Sequence, residues 1–108
     1  VLRRRRGDRQ TVTRVAEIAI NHSERCVAVG ERQVQLSAKE FALLGALAHE
    51  PTRVFTKEEL LRDVWGYRSI GHTRTLEAHA SRLRRKLDPD RGRFVINCWG
   101  VGYRLVEP

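Results

Sequence analysis

"TRTLEAHASRLRRKL", residues 73–87, decides how the rest of the chain is read. Leu76, Ala80, Leu83 and Leu87 recur at steps of three and four, so on an α-helix they make one narrow apolar stripe. The opposite side carries Arg74, Ala78, Ser81, Arg82 and Arg85. Thr75, His79 and Lys86 lie along one flank, Glu77 and Arg84 along the other. An ordinary solvated face mixes both charge signs, because opposite charges at i,i+4 support the helix. Here Glu77 is the sole acid among Arg74, Arg82, Arg84, Arg85 and Lys86. Small Ala78 and Ser81 at the centre would let the helix backbone approach a groove floor. The face points to a polyanion, and to nucleic acid before others.

The charge distribution agrees. The 108 residues carry a formal net charge of +8. Residues 1–14 hold six arginines and one aspartate, and residues 15–67 hold six basic and eight acidic side chains. Residues 68–104 hold nine basic against three acidic side chains, so the carboxyl half is the part matched to a polyanionic partner. Only Lys39, Lys57 and Lys86 are lysines; the other 18 basic residues are arginines. Arginine suits bidentate contacts to phosphate or guanine, although genome base composition biases the same count.

Upstream of the helix the pattern supplies a domain around it. Residues 1–14 read as a linker, with residues 3–6 a like-charge block that stays solvated. From Val15 to Leu36 the signal is β: "VAEIAI" and "RCVAVG" are separated by residues 21–23, and Gly30 with Glu31 turns the chain into "RQVQL". The period then becomes helical. Ser37 and Glu40 form a capping box ahead of Phe41, Leu44, Leu47 and Ala48, and Pro51 ends that helix. Val54 and Phe55 allow one short bridging strand. Thr56 and Glu59 form a second capping box ahead of Leu60, Leu61, Val64 and Trp65, and Gly66 stops the second helix. The loop "GYRSIGH" leads to the helix over residues 73–87, broken afterwards by Pro89 and Gly92. "FVINCW" and "YRLV" then pair across Gly100 and Gly102 as a terminal hairpin. Sheet, helix, short strand, helix, loop, helix and hairpin is a winged helix-turn-helix order, an α+β fold.

Other classes are disfavoured. No apolar run reaches the length of a membrane span, and no signal-peptide pattern follows the arginine-rich start. Methionine is absent, so a processed or excised fragment is expected. Cys26 and Cys98 lie outside any CxxC spacing, which fits two half-buried small hydrophobes and a reducing cytoplasm. His22, His49, His72 and His79 show no ligand spacing, so neither metal nor cofactor is expected. Gly100 and Gly102 lack the third glycine, the following helix and the lysine of a phosphate-binding loop. No nucleophile–base pair or carboxylate cluster suggests an enzyme. A single-strand RNA binder would spread aromatics over a sheet, and only 6% of the chain is aromatic. A protein-interaction module of the same shape would carry mixed charge on the third helix.

"LSAKEFALLGALAHEPTRVFTKEELLRDVWG" (residues 36–66), "RTLEAHASRLRRKL" (74–87) and "GVGYRL" (100–105) together resemble the effector domain of OmpR/PhoB-type two-component response regulators. The resemblance covers about residues 15–106. It implies a winged helix-turn-helix with an N-terminal four-stranded antiparallel sheet, three helices and a C-terminal β-hairpin wing. It also implies double-stranded DNA as partner, read at direct repeats by a dimer of the full-length protein, with recruitment of RNA polymerase. The isolated domain is expected to be monomeric, cytoplasmic and unattached to any membrane. Residues 73–87 would occupy the major groove, and the wing, about residues 94–106, the backbone and minor groove.

Carried over residue by residue, the resemblance puts Arg82 at base edges and Arg74, His79 and Arg84 at the backbone, with Trp65 facing phosphate. The helix face itself adds Ser81, Arg85 and Lys86, and the wing adds Asn97, Trp99 and Tyr103. Tyr67, Arg68, Ser69 and Ile70 correspond to the segment that touches polymerase or a neighbouring protomer. The start "VLRRRR" resembles the end of a receiver domain and its linker, so residues 15–108 would be the winged-helix domain. Departures stand out at two places, the wing and the third helix. Trp99 replaces the arginine that many members send into the minor groove, and Asn97 with Cys98 replaces the usual threonine–valine. Ser81 replaces a basic residue found in some members. Trp99 has two readings, apolar cover for the wing or a wedge at the sugar–phosphate edge, and packing with a partly exposed indole is the one expected. Phe94, Ile96 and Cys98 should alternate with Val95, Asn97 and Trp99 between inward and outward sets, with the Tyr103 ring packed at the wing base and its hydroxyl toward DNA.

Overall fold

Branched residues at alternate positions give the amino-terminal half one apolar sheet face. In the computed structural model, which describes residues 12–66 and 73–108, strands β1 (Val12–Val15), β2 (Ile18–Asn21), β3 (Cys26–Val29) and β4 (Arg32–Val34) form an antiparallel meander. Val15, Ile18, Ile20, Val27, Val29 and Val34 are buried on its inner face. Gly30 takes a positive φ in the expected turn between β3 and β4. The start of the sheet differs from the sequence reading. β1 begins at Val12, inside the stretch read as linker, and "VAEIAI" is two strands rather than one. It folds back at Ala16 and Glu17, pairing Val15 with Ile18. Ala16 reaches the required left-handed backbone with φ 51°. Glycine, asparagine or aspartate usually supplies that conformation, so nothing in the pattern announced the turn.

Both capping boxes are present. The Ser37 side chain accepts from the Glu40 N–H and the Glu40 carboxylate from the Ser37 N–H, opening α1 (Ala38–Ala48). Thr56 and Glu59 do the same for α2, whose first turn is Lys57–Leu60. Glu59 is held below the usual carboxylate range chiefly by the Thr56 N–H, with Arg53 adding to the effect. The second half of α2, Leu61–Trp65, widens into a π-turn and stops at Gly66, φ 79°. α3 runs over Thr73–Leu87, as the stripe requires. It packs on α1 and on the start of α2. Phe41, Leu43, Leu44, Leu47, Leu60, Leu61, Leu76, Leu83 and Leu87 form the centre of the core with the sheet residues.

The carboxyl-terminal sheet has the order β5–β7–β6, with β5 at Phe55–Thr56, β6 at Ile96–Cys98 and β7 at Gly102–Arg104. The bridging strand pairs with the hairpin, Phe55 opposite Tyr103 and Thr56 opposite Gly102. The two wing glycines serve different needs. Gly100 supplies a turn with φ 80°. Gly102 supplies space, since a Cβ there would sit 1.8 Å from the Phe55 carbonyl oxygen. Gly102→Ala is therefore expected to push β5 from β7 and cost about 1–3 kcal/mol, the usual range for forced overpacking. Urea unfolding of the two proteins measures this, and a difference below about 0.5 kcal/mol, the usual limit for a neutral change, would contradict it.

Candidate nucleic-acid interface

The interface begins with what α3 hides. Leu76, Ala80, Leu83 and Leu87 are all buried, so the helix can face only one way. Arg74, Ala78, Arg82 and Arg85 are consequently exposed, and Ser81 is half-buried between them. The carboxyl end is tied to the first sheet: Arg32 on β4 donates to the carbonyls of Lys86 at 3.1 Å and Leu87 at 2.7 Å. Those carbonyls have no partner within the helix and form the negative end of its dipole, so a guanidinium suits them. Asp88 follows, accepting from the N–H groups of Arg91 and Arg93 and from Arg93 Nε at 2.5 Å. Arg93 also reaches Glu17 in the β1–β2 turn at 2.8 Å.

The cations of α3 differ in what already holds them. Among the described residues no hydrogen bond or ion pair engages Arg74 or Arg85. Arg82 donates through Nε to Glu40 at 3.3 Å, and Lys86 donates to the same carboxylate at 2.6 Å. Arg84 donates through Nε to the Val95 carbonyl at 3.1 Å, so it also fastens the wing to the helix. Glu77, the lone acid, pairs with Lys57 at 3.1 Å. His79 contacts the Thr75 carbonyl at 2.8 Å and stands edge-on to Trp65, ring centroids 5.1 Å apart. Trp65 is half-buried there and forms part of the joint between α2 and α3.

The wing departs from two expectations. Strict alternation fails because Val95 has φ 60°, which turns both Phe94 and Val95 into the core and leaves Ile96, Asn97 and Cys98 all half-buried. Trp99 is 86% exposed, so it is not apolar cover for the wing. It sits next to the Gly100 turn. Cys26 is exposed rather than half-buried. The Tyr103 ring is buried at the wing base, and burial, with Glu77 adding to it, pushes its hydroxyl pKa up. Ser81, Arg84, Asn97, Trp99 and Tyr103 come together along one shallow cleft between α3 and the wing, joined by Lys57 and Glu77. The segment of Tyr67, Arg68, Ser69 and Ile70 lies outside the described residues.

Residues 30–105 match the family described as "Transcriptional regulatory protein, C terminal". The chain belongs to the OmpR/PhoB-type DNA-binding effector domains of response regulators. The effector domain is 45% identical over 78 residues to the uncharacterized transcriptional regulatory protein YclJ of Bacillus subtilis, covering 72% of this chain and 34% of that protein. It superposes on the Klebsiella pneumoniae RstA DNA-binding domain, solved in complex with the RstA box, with TM-score 0.79 and 25% identity, covering 88% of this chain and 96% of that one. The Thermotoga maritima OmpR/PhoB homologue DrrB gives TM-score 0.77 and 27% identity over 95% of this chain and 48% of its own. The effector domain thus spans less than half the length of the curated relatives it matches first.

Glu40, Arg32, Lys57, Asp88 and Arg93 were not among the expected site residues, although each positions something on this face of the effector domain. Apart from Asp88, whose partners lie three and five residues on, their signals are pairings across 20 to 76 residues, to which helical or strand periodicity gives no clue. Among the described residues no helix is long and apolar enough to cross a membrane, and no group of three His, Cys, Asp or Glu side chains could hold a metal. Asp88 offers a test of the tie between the end of α3 and the first sheet. Its hydrogen bond from Arg93, with the two backbone N–H groups, lowers its pKa from 3.8 to about 2. A depressed carboxylate stabilises the fold above its unfolded pKa, and that contribution is lost as pH falls through the folded value. Wild type should therefore lose stability between about pH 4 and about pH 2 more steeply than Asp88→Asn, which should already be less stable at neutral pH. Thermal unfolding across that range would show parallel curves if Asp88 were idle.

Proposed function

We propose that this domain recognises a specific double-stranded DNA sequence with α3 in the major groove and the wing, residues 94–106, against the backbone and minor groove. The observation that carries the proposal is the exposed, nearly one-signed face of α3, held outward by burial of the opposite stripe. Arg82 and Arg85 lie where base edges would pass, with small Ala78 and Ser81 allowing close approach. Arg74, His79 and Arg84 flank them as phosphate contacts that set register without reading sequence. Trp65 stands at the backbone beside His79. Lys86 faces the same side but is paired with Glu40. On the wing, Asn97 and Tyr103 close the cleft, and exposed Trp99 meets the sugar–phosphate edge as an apolar wedge with one N–H donor. In the full-length protein, the stretch before β1 links this domain to an upstream receiver, two copies bind direct repeats, and residues 67–70 contact RNA polymerase or the neighbouring protomer. The domain by itself is monomeric and cytoplasmic.

Titrations against a duplex selected by the wild-type protein and against its scrambled counterpart test the assignment. Arg82→Ala should cut the cognate-to-scrambled ratio by about 1–3 kcal/mol, the worth of one bidentate arginine–guanine pair. An unchanged ratio would remove Arg82 from the base-reading set. Trp99→Ala should weaken binding without altering the slope of log affinity against log salt. A slope smaller by about one unit would mark a charge-linked contact instead.

A further inference from the structure

Glu40 carries more charge chemistry than its cap requires. Its carboxylate is 2% exposed and meets three donors: the Ser37 N–H at 2.9 Å, Lys86 Nζ at 2.6 Å and Arg82 Nε at 3.3 Å. A capping box needs only the first, and glutamine closes it as well as glutamate does. Burial pushes the Glu40 carboxyl up, but Lys86, the Ser37 N–H and Arg82 together outweigh burial and hold it below the ordinary carboxylate range. The residue is therefore an anion placed under the centre of a cationic face, with both its basic partners on α3.

The two partners are held differently. Arg82 is engaged through Nε alone, and its side chain stays 45% exposed, so among the described residues its two Nη groups meet no protein acceptor. Lys86 has a single nitrogen that gives one of its three N–H donors to the carboxylate at 2.6 Å, with its side chain 39% exposed. A bidentate contact to guanine needs a fork held in one orientation, whereas a phosphate contact needs only a mobile charge. One carboxylate thus steadies the reader and offsets the charge of the indiscriminate cation.

We infer that Glu40 is a specificity-determining positioning residue, anchoring Arg82 by Nε with its Nη fork left for a base edge and withholding Lys86 from DNA phosphate. The inference rests on the DNA-reading function proposed above. Sequence-independent affinity grows with each cation given to phosphate, so neutralising Lys86 from within lowers binding to wrong sites more than to the right one. Pre-orienting Arg82 acts on the right site alone.

Glu40→Gln and Lys86→Gln, made in the whole chain, test this on the selected and scrambled duplexes over a series of salt concentrations. Discrimination by the wild type is the first arm, and its absence would refute the DNA-reading proposal rather than the role of Glu40. Given discrimination, Glu40→Gln should bind scrambled DNA more tightly with a salt slope steeper by about one unit. Its cognate-to-scrambled ratio should fall about tenfold, as for a bidentate arginine–guanine pair whose fork is no longer held in place. Circular dichroism confirms that the variant is folded, and a folded Glu40→Gln with unchanged ratio and slope would overturn the inference. Lys86→Gln decides the matter independently if Glu40→Gln does not fold. A lysine already withheld changes the slope by less than about half a unit when removed, whereas a drop of about one unit would show Lys86 on phosphate and refute the inference.

Discussion

Burial of Leu76, Ala80, Leu83 and Leu87 beneath α3 is the interaction on which the rest of the structure depends. Each fully buried leucine contributes about 1.5–3 kcal/mol relative to exposure, so turning the helix by even a quarter revolution would forfeit most of that gain. The direction of the cationic face is thus set by an apolar constraint on the other side. Arg32 at the carboxyl end, and the chain of Asp88, Arg93 and Glu17 beyond it, add polar ties that keep the helix axis from pivoting on its stripe.

The wing is placed by a close approach of backbone to backbone. Gly102 lies against Phe55 because it has no Cβ, and Thr56, opposite Gly102, also caps α2. One residue therefore joins the wing to the amino end of the helix that precedes α3. Arg84 adds a second tie from α3 to Val95 at the wing base. With helix and hairpin fixed to each other, Ser81, Arg84, Asn97, Trp99 and Tyr103 line a single cleft, and the Trp99 indole projects from the tip.

Charge on this face is sorted by depth. Arg74 and Arg85 stand in solvent, while Arg82, Arg84 and Lys86 each spend one donor on the protein. A basic helix read as a uniform cationic surface is therefore a graded one. The acid that does most of the grading, Glu40, was visible in the sequence only as the far end of a capping box. Its second role depends on Arg82 and Lys86 arriving above it from 42 and 46 residues away.

Helix starts, helix ends and the apolar stripe were legible because they obey local rules: a capping box spans three residues, and a helical face repeats every three or four. The β3–β4 turn at Gly30 and the wing turn at Gly100 were legible for a similar reason, since positive φ favours glycine. Ala16 and Val95 reach the same region without that residue type, so the early hairpin and the broken alternation of the wing went unread. The sequence by itself determined which segments are helices, where the later strands turn, and which side of α3 is cationic. Tertiary structure alone decided which cations are already held by protein acceptors, that Trp99 stands exposed, and that Gly102 must be glycine for lack of space. Those outcomes depend on atoms brought together across tens of residues, where burial and charge pairing act at distances that no local periodicity encodes.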